Sequence, residues 1–506
     1  MTFQHLRGAT ALGLILFALT GVPVAAQSTG AVTIVLPEEP PSLEPCDAKH
    51  SSIGRVVIRN ITEPLTRLDP SNGEVIPVLA TEWNQIDTDT WRFKLREGVT
   101  FSDGTPFDAK AVIAAFTRLD RTDMVCNTKQ QTLGGIDLTV TEISPTEVEI
   151  TSSKPSPILP TMLTVVQMSS PSMEVKGASR APIGTGPYAL GTWRAGQDIT
   201  LDRLDGYWGD APQVAKATFV WRSESAVRAA MVDQGEADVA LIIAATDATN
   251  PDIDFAYPNG ETTRLRINTS TAPLNDVRVR KALNMALDLD ALKPIVGDEV
   301  TRAEQLVPPN TLGYDADLRP FAYDPAGAKA LLEEAKADGV PVDTQIDLIG
   351  RDGIYVGAAE MLQAMQAMWA EVGLNVNIRM FDTGNWLRYQ NRPFPEPNVP
   401  MLGQDQHDNL LGDASFTLFN KYDSDGVNSG LWDEEVDKLI ATGENTTGAE
   451  RETAFKQAFA RIHDDLVADV FMYHMVGYTR VGPRVDWKPT IAANSEIAIA
   501  DMKLAE

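Results

Sequence analysis

An α/β fold of at least two lobes is predicted by three observations. Strand-like, β-branched runs alternate with amphipathic helical patterns along most of the chain. The chain has 506 residues, of which about 480 follow an N-terminal targeting segment, well beyond the roughly 250–300 residues at which one hydrophobic core stops growing. Hydrophobic residues make up 43%, yet no later stretch is long and apolar enough to span a bilayer, as suits a soluble protein with a sizeable core.

The N-terminus has the three parts of a secretory signal: Arg7, an apolar run from Ala9 to Thr20, and small residues Val24-Ala25-Ala26 before Gln27. Gly21 and Pro23 interrupt the apolar run too early for a spanning helix, so residues 1–26 read as a signal peptide cleaved after Ala26. No cysteine stands at the cut, so no lipid anchor is expected. Export leads to an oxidising compartment, where the two cysteines, Cys46 and Cys126, are expected to form one disulfide; two buried thiols are the alternative.

Ala31 to Leu36 reads as a strand running into the extended, proline-rich Pro40 to Pro45. Trp91 to Arg96 alternates apolar and basic residues as a half-buried strand does, a turn follows at Ser102-Asp103-Gly104, and Asp108 can cap a helix with Val112, Ala115, Phe116 and Leu119 inward. Strand-like runs at Ile199 to Leu201 and Ala217 to Trp221 precede a helix with Val227, Ala230 and Met231 inward, then a turn at Gly235 and a further apolar run, Val239 to Ile243. Later helical stripes are Val279, Ala282, Leu283, Ala286 and Leu287; Met361, Met365, Met368, Trp369 and Val372; Trp432, Val436, Leu439 and Ile440; and Phe455, Phe459, Ile462 and Leu466. These read as core faces. No Pro/Gly/Ser linker divides the chain, so the domains are expected to be discontinuous.

Acidic residues outnumber basic ones 70 to 43, a field that repels phosphate backbones and argues against nucleic acid as a partner. Catalytic signatures are missing: the sequence has no Gly-x-Ser-x-Gly elbow, no Cys-x-x-Cys and no phosphate loop ending in Lys-Ser/Thr. Gly184-Thr185-Gly186-Pro187 reads as a turn, since Pro187 removes an amide donor. His463 and His474 would share a face only if one helix ran through both, and even then would stand roughly 16 Å apart, too far to share a metal. His50 and His407 lack a ligand-spaced neighbour. No enzyme activity and no cofactor are expected.

A series of segments runs in order over nearly the whole chain: Ala80-x-x-Trp83, Trp91 through Phe107, Gly184-Thr185-Gly186-Pro187-Tyr188, Asp205-Gly206-Tyr207-Trp208-Gly209, Gly235 to Val239, Asn268-Thr269 and Asn275 to Ala286. Together they resemble the peptide-binding (dipeptide/oligopeptide, family 5) periplasmic solute-binding proteins of ABC importers. The resemblance implies an α/β clam of two lobes with an inserted subdomain in the first. It implies lobe I at 27–264 with the insertion at about 46–175, lobe II at 265–480, and a return to lobe I at 481–506. Hinge crossings are expected near Leu265 to Asn268 and near Val476 to Gly482. A periplasmic monomer is implied, which captures a peptide or other small solute and delivers it to a membrane permease.

A buried peptide needs an anion for its ammonium and a cation for its carboxylate. In His407-Asp408-Asn409-Leu410-Leu411-Gly412-Asp413, Asp408 is the first choice for the amino group and Asp413 the second, by resemblance to the family's acidic segment. Arg351, in Gly350-Arg351-Asp352-Gly353, matches where dipeptide-binding relatives place the carboxylate-binding arginine, and its planar fork suits the task. A salt bridge with Asp352 or another carboxylate is the structural alternative. Pro40 to Pro45 could form a wall of the cleft, and Trp386, Tyr389 and Tyr422 could offer flat surfaces. Dipeptide binders carry a tryptophan just ahead of the acidic segment, whereas Met401 to Gln406 has none. Glutathione, an opine, an oligosaccharide or a nickel chelate are alternative solutes on the same fold, and a secreted hydrolase using Asp408 and Asp413 is a remote alternative.

Overall fold

Ala31–Leu36, the first β-branched run, forms strand β1, and the sheet grows outwards from it on both sides. Its other principal strands, in chain order, are β2 (Tyr188–Arg194), β3 (Asp198–Arg203), β4 (Lys216–Trp221), β5 (Val239–Ala240), β6 (Asp254–Ile267), β7 (Ile346–Arg351), β8 (Val376–Phe381), β9 (Met401–Asp408) and β10 (Asp469–Val481). They lie in the order β2-β3-β4-β1-β5-β10-β6-β9-β7-β8, and Thr301–Arg302 pairs against β10 as the eleventh strand. The computed structural model describes Met1 and residues 30–505, apart from 49–50, 70–72, 125, 127, 130–132, 134–135, 174–175, 310 and 410–411. The expected cleavage point after Ala26 and His50 lie outside the described residues.

The fold is a two-lobed α/β clam with an extra subdomain in its first half. Parallel β4-β1-β5 and β9-β7-β8 each have the buried apolar strands that helix-covered sheets require. One core gathers β1 to β5 with Val485, Ile497, Ile499 and Met502, so the C-terminal segment packs back on the first half. A second unites Leu265, the Val279-Ala282-Leu283 stripe and Met361, Met365 and Trp369, as their helical spacing predicts. The inserted part has its own core and its own antiparallel sheet, Ala80–Gln85, Thr90–Leu95, Glu147–Ser152 and Leu138–Ser144, covered by the helix Ala109–Leu119. Phe93 and Leu95 point into that core, while Arg92 pairs with Glu149 across the strands. Asp108 caps the helix through the Lys110 and Ala111 amides. Cys46 and Cys126 are joined as a disulfide at the edge of this core.

β6 and β10 run antiparallel to each other and belong to both halves. Asp254 to Pro258 pair only with β10, and β9 joins on the other side from Glu261. The pairing of β6 thus changes from one neighbour to two over 258–262, just upstream of Leu265 to Asn268. Pro258 offers no amide and Gly260 takes a φ of 77°, so the ladder shifts register there.

Two helical expectations are corrected. In Ser225–Asp233 the buried face carries Arg228, Ala229, Met231 and Val232 while Val227 is exposed, because the Arg228 guanidinium turns in to bond the carbonyls of Arg222, Ser223 and Leu241. Trp432 precedes the capping Asp433 and lies exposed beneath the Arg392 guanidinium rather than in the stripe. His463 lies in the helical turn Arg461–Leu466 and His474 in β10, so one helix does not join them.

Gly184 explains the Gly-Thr-Gly-Pro turn. A Cβ there would stand 1.9 Å from the Ile61 carbonyl oxygen, so only glycine permits the approach. The approach brings Thr185 Oγ1 to donate to Glu63 (2.8 Å), which also accepts from Tyr207 (2.7 Å) and the Trp208 indole (2.8 Å). Two of the segments that carry the resemblance thus meet at one buried carboxylate and serve the fold. Among the described residues no helix is long and apolar enough to cross a membrane.

Candidate ligand cleft

The acidic segment is positioned by the end of β9. Asp408 closes that strand, Asn409 turns the chain by donating to the Gly260 and Leu306 carbonyls, and Asp413, just ahead of the next helix, Ser415–Tyr422, accepts the Ser415 amide (2.9 Å). His407 Nε2 donates to Thr417 Oγ1 (2.8 Å), whose own proton goes to Asn409 Oδ1 (2.7 Å), which fixes both the loop and the histidine tautomer.

Asp408 and Asp413 both border a cavity of about 160 Å³. Its second-half wall also includes Thr417 and Phe416; the facing wall comes from the first half and its C-terminal segment, with Arg67, Thr164, Ser495 and Glu496. The charge of Asp413 is taken up by Arg451, which grips it through two nitrogens at 2.7 and 3.2 Å, and both side chains are buried. Its role is to hold the start of the helix. Arg67 has a buried Nε with no hydrogen-bond partner among the described residues. Burial, and then the neighbouring Arg59 charge, push its guanidinium below the usual range, although Glu496 opposes this.

Arg351 ends β7, where the Gln404 side-chain oxygen accepts its amide (3.0 Å) and its guanidinium lies 4.9 Å over the Trp386 ring. Trp386 is buried and donates to the Gln404 carbonyl (3.1 Å). These two predicted residues come together, but neither borders the cavity of Asp408. Arg351 forms no ion pair with Asp352; the charges it feels are those of Glu261 and Asp405, which offset part of the lowering that burial imposes. Glu261 stands opposite Asp408 in the β6–β9 register, and its Oε2 accepts from Asn259 (3.0 Å) and Gln406. Burial, then the Asp408 charge, push its carboxyl up to about 7.

Tyr422 lies in a buried polar cluster. It is 1% exposed, and its hydroxyl donates to Asp469 (2.5 Å). Asp469 also accepts from Arg264 (2.9 and 3.0 Å), which reaches Asp405 (3.1 Å), and Lys421 completes the cluster by donating to Asp405 (2.9 Å). Burial drives the Asp405 carboxyl upwards, yet the Lys421 and Arg264 charges hold it far below the usual carboxylate range. Tyr389 is bound to Arg379 and Glu396, and Pro40 to Pro45 border neither this cavity nor its neighbour, since Glu44 is locked to Arg118 (2.8 Å) beside the disulfide. Among the described residues no group of three or more His, Cys, Asp or Glu could hold a metal ion.

Sequence reasoning did not single out Arg67. Its only signal was position, in the Thr66-Arg67-Leu68 strand that follows the Glu63-Pro64 pair, and nothing in spacing marks it as facing Asp408.

The fold is shared with known proteins. The nickel-binding periplasmic protein of Escherichia coli (strain K12) is 29% identical over 449 residues, covering 80% of this chain and 82% of that protein. The glutathione-binding protein GsiB of Escherichia coli (strain K12) is 31% identical over 396 residues, 75% of this chain and 74% of its own. The periplasmic binding protein DppA from Helicobacter pylori, solved with the peptide STSA, superimposes with a TM-score of 0.76 at 19% identity over 94% of this chain and 98% of that one. The model for bacterial extracellular solute-binding proteins, family 5 Middle, matches residues 74–403, and on that match and these relatives the chain belongs to this family of substrate-binding proteins of ABC importers.

Proposed function

We propose that this substrate-binding protein captures a small zwitterionic solute, with a short peptide as the leading case, between its two lobes and presents it to its permease. The observation that carries this reading is that Asp408 and Arg67 face one cavity from opposite halves of the chain. Asp408 receives the ammonium, and Arg67, whose Nε lacks a partner, receives the carboxylate. Because the anchors come from different halves, a ligand that satisfies both also holds the halves together. Relatives named for glutathione binding and solved with a bound peptide support a zwitterion of this kind.

Closure is proposed to bend the β6–β10 ladder at 258–262, where its register already shifts. The chain is exported by its first 26 residues, works unanchored and as a monomer in the periplasm, and performs no chemistry on its solute. Titration calorimetry on refolded, ligand-free protein tests the anchors. Asp408→Asn and Arg67→Ala should each weaken a bound tripeptide at least tenfold, whereas unchanged affinity in both would overturn the two-anchor reading.

A further inference from the structure

Beside the cavity of Asp408 lies a second one of about 250 Å³, and the two share Phe416 and Asn420. The second runs between the inserted subdomain, which contributes Ile136, Ile158 and Met162, and the helices of the second half, which contribute Phe419 and Glu444. We infer that this is a side-chain subsite for a bulky apolar group of the same solute whose charged ends Asp408 and Arg67 hold. The assignment rests on the zwitterion reading and adds to it a preference for leucine- to phenylalanine-sized side chains.

Three observations carry it. Phe419 lies on the helix Ser415–Tyr422, whose Leu418 and Tyr422 enter a core; Phe419 itself joins none of the buried cores and is left half-buried at the cavity. A ring turned away from its own core and towards an apolar void is the surface that an apolar ligand group completes. Next, the two cavities share Phe416 and Asn420 in their walls, and Phe416 packs against the inserted core, so the apolar cavity lies immediately beside the one that anchors the backbone. Finally, the two volumes together fall in the lower part of the roughly 300–1,000 Å³ range of small-ligand pockets, whereas the polar cavity alone is below it.

Glu444 sets the far limit of the subsite. Burial, then the Asp423 charge, push its carboxyl up to about 7. Lys154 and Arg451 line the same cavity, so its charged groups are of both signs and the apolar preference rests on Ile136, Ile158, Met162 and Phe419.

The test uses the mature protein, unfolded, dialysed and refolded, and then exposed to an equimolar tripeptide pool in which one position at a time is Leu, Phe, Trp, Asp or Gly and the other two are Gly. Retained peptides are read by native mass spectrometry and their affinities by calorimetry. The expected result is enrichment of the Leu and Phe peptides by about 100-fold over Gly-Gly-Gly. Ile158→Trp, which fills the cavity, should bring that ratio towards one. Phe419→Ala, which enlarges it, should shift the preference to Trp. Binding of all peptides without discrimination would overturn the subsite and leave the anchors standing. Failure to retain any tripeptide would overturn the anchors and the subsite together. If Ile158→Trp does not refold, the Phe419→Ala shift still decides.

Discussion

Glu261 faces Asp408 directly across the antiparallel pair of β6 and β9, which sets two carboxyls side by side next to the cleft. Burial and the Asp408 charge hold the Glu261 proton on up to about pH 7, whereas an unfolded glutamate releases it near 4.5. The folded pKa is raised, so the stabilisation is complete below about 4.5 and is lost as pH rises through about 7.

Glu261→Gln should therefore gain stability over the wild type at pH 8, by on the order of 2–3 kcal/mol, and differ little at pH 4.5. Urea unfolding at the two pH values measures it. An equal effect at both would mean that packing, not ionisation, sets the cost of this carboxyl.

Arg351 and Arg67 divide by position. Arg67 borders the cavity with Asp408, and Arg351 rests on Trp386 outside it. Arg67→Ala should lower affinity for the tightest tripeptide by about 2–5 kcal/mol, as loss of one partner of a desolvated charge pair does, and Arg351→Ala by less than 1 kcal/mol. Calorimetry with both variants reads the order, and a reversed order would return the carboxylate to Arg351.

The cluster of Arg264, Asp405, Asp469 and Lys421 is sealed from solvent. Asp469→Ala would leave the Tyr422 hydroxyl and one side of the Arg264 guanidinium without an acceptor, and should destabilise the protein by about 3–5 kcal/mol. Denaturant unfolding checks this.

Reduction of Cys46–Cys126 should act locally. The bridge closes a loop of 80 residues within the inserted core, and its loss should cost about 2–4 kcal/mol. Hydrogen exchange before and after reduction should show faster opening of Thr90–Leu95 and Ala109–Leu119, with β7 and β8 unchanged.

Much of the fold was legible because burial follows the period of each element. Val112, Ala115, Phe116 and Leu119, or Met361, Met365 and Trp369, need only one face and one partner layer to be read correctly. Val227 misled because Arg228 found backbone carbonyls to bond, and burying a satisfied guanidinium turned the helix against its apolar pattern. In the candidate site, the order of segments points to Asp408 and Asp413 alike, and the hold of Arg451 on Asp413 comes from 38 residues on. The contact of Tyr422 with Asp469 is equally hidden from local spacing, since the two lie 47 residues apart. Arg67 acquires meaning only through pairings between distant segments, which no local spacing encodes.

β10 stands in the middle of the sheet, with β5 on one side and β6 on the other, yet it is formed by residues 469–481 of 506. The earlier strands remain two open-edged sets, one ending at β5 and the other beginning at β6, until nearly the last of the chain has been made. Assembly from such distant segments is slow because loop closure precedes the reward of contact. In a chain made from its N-terminus, the keystone of the sheet is thus supplied only after both of the sets that it joins are already present.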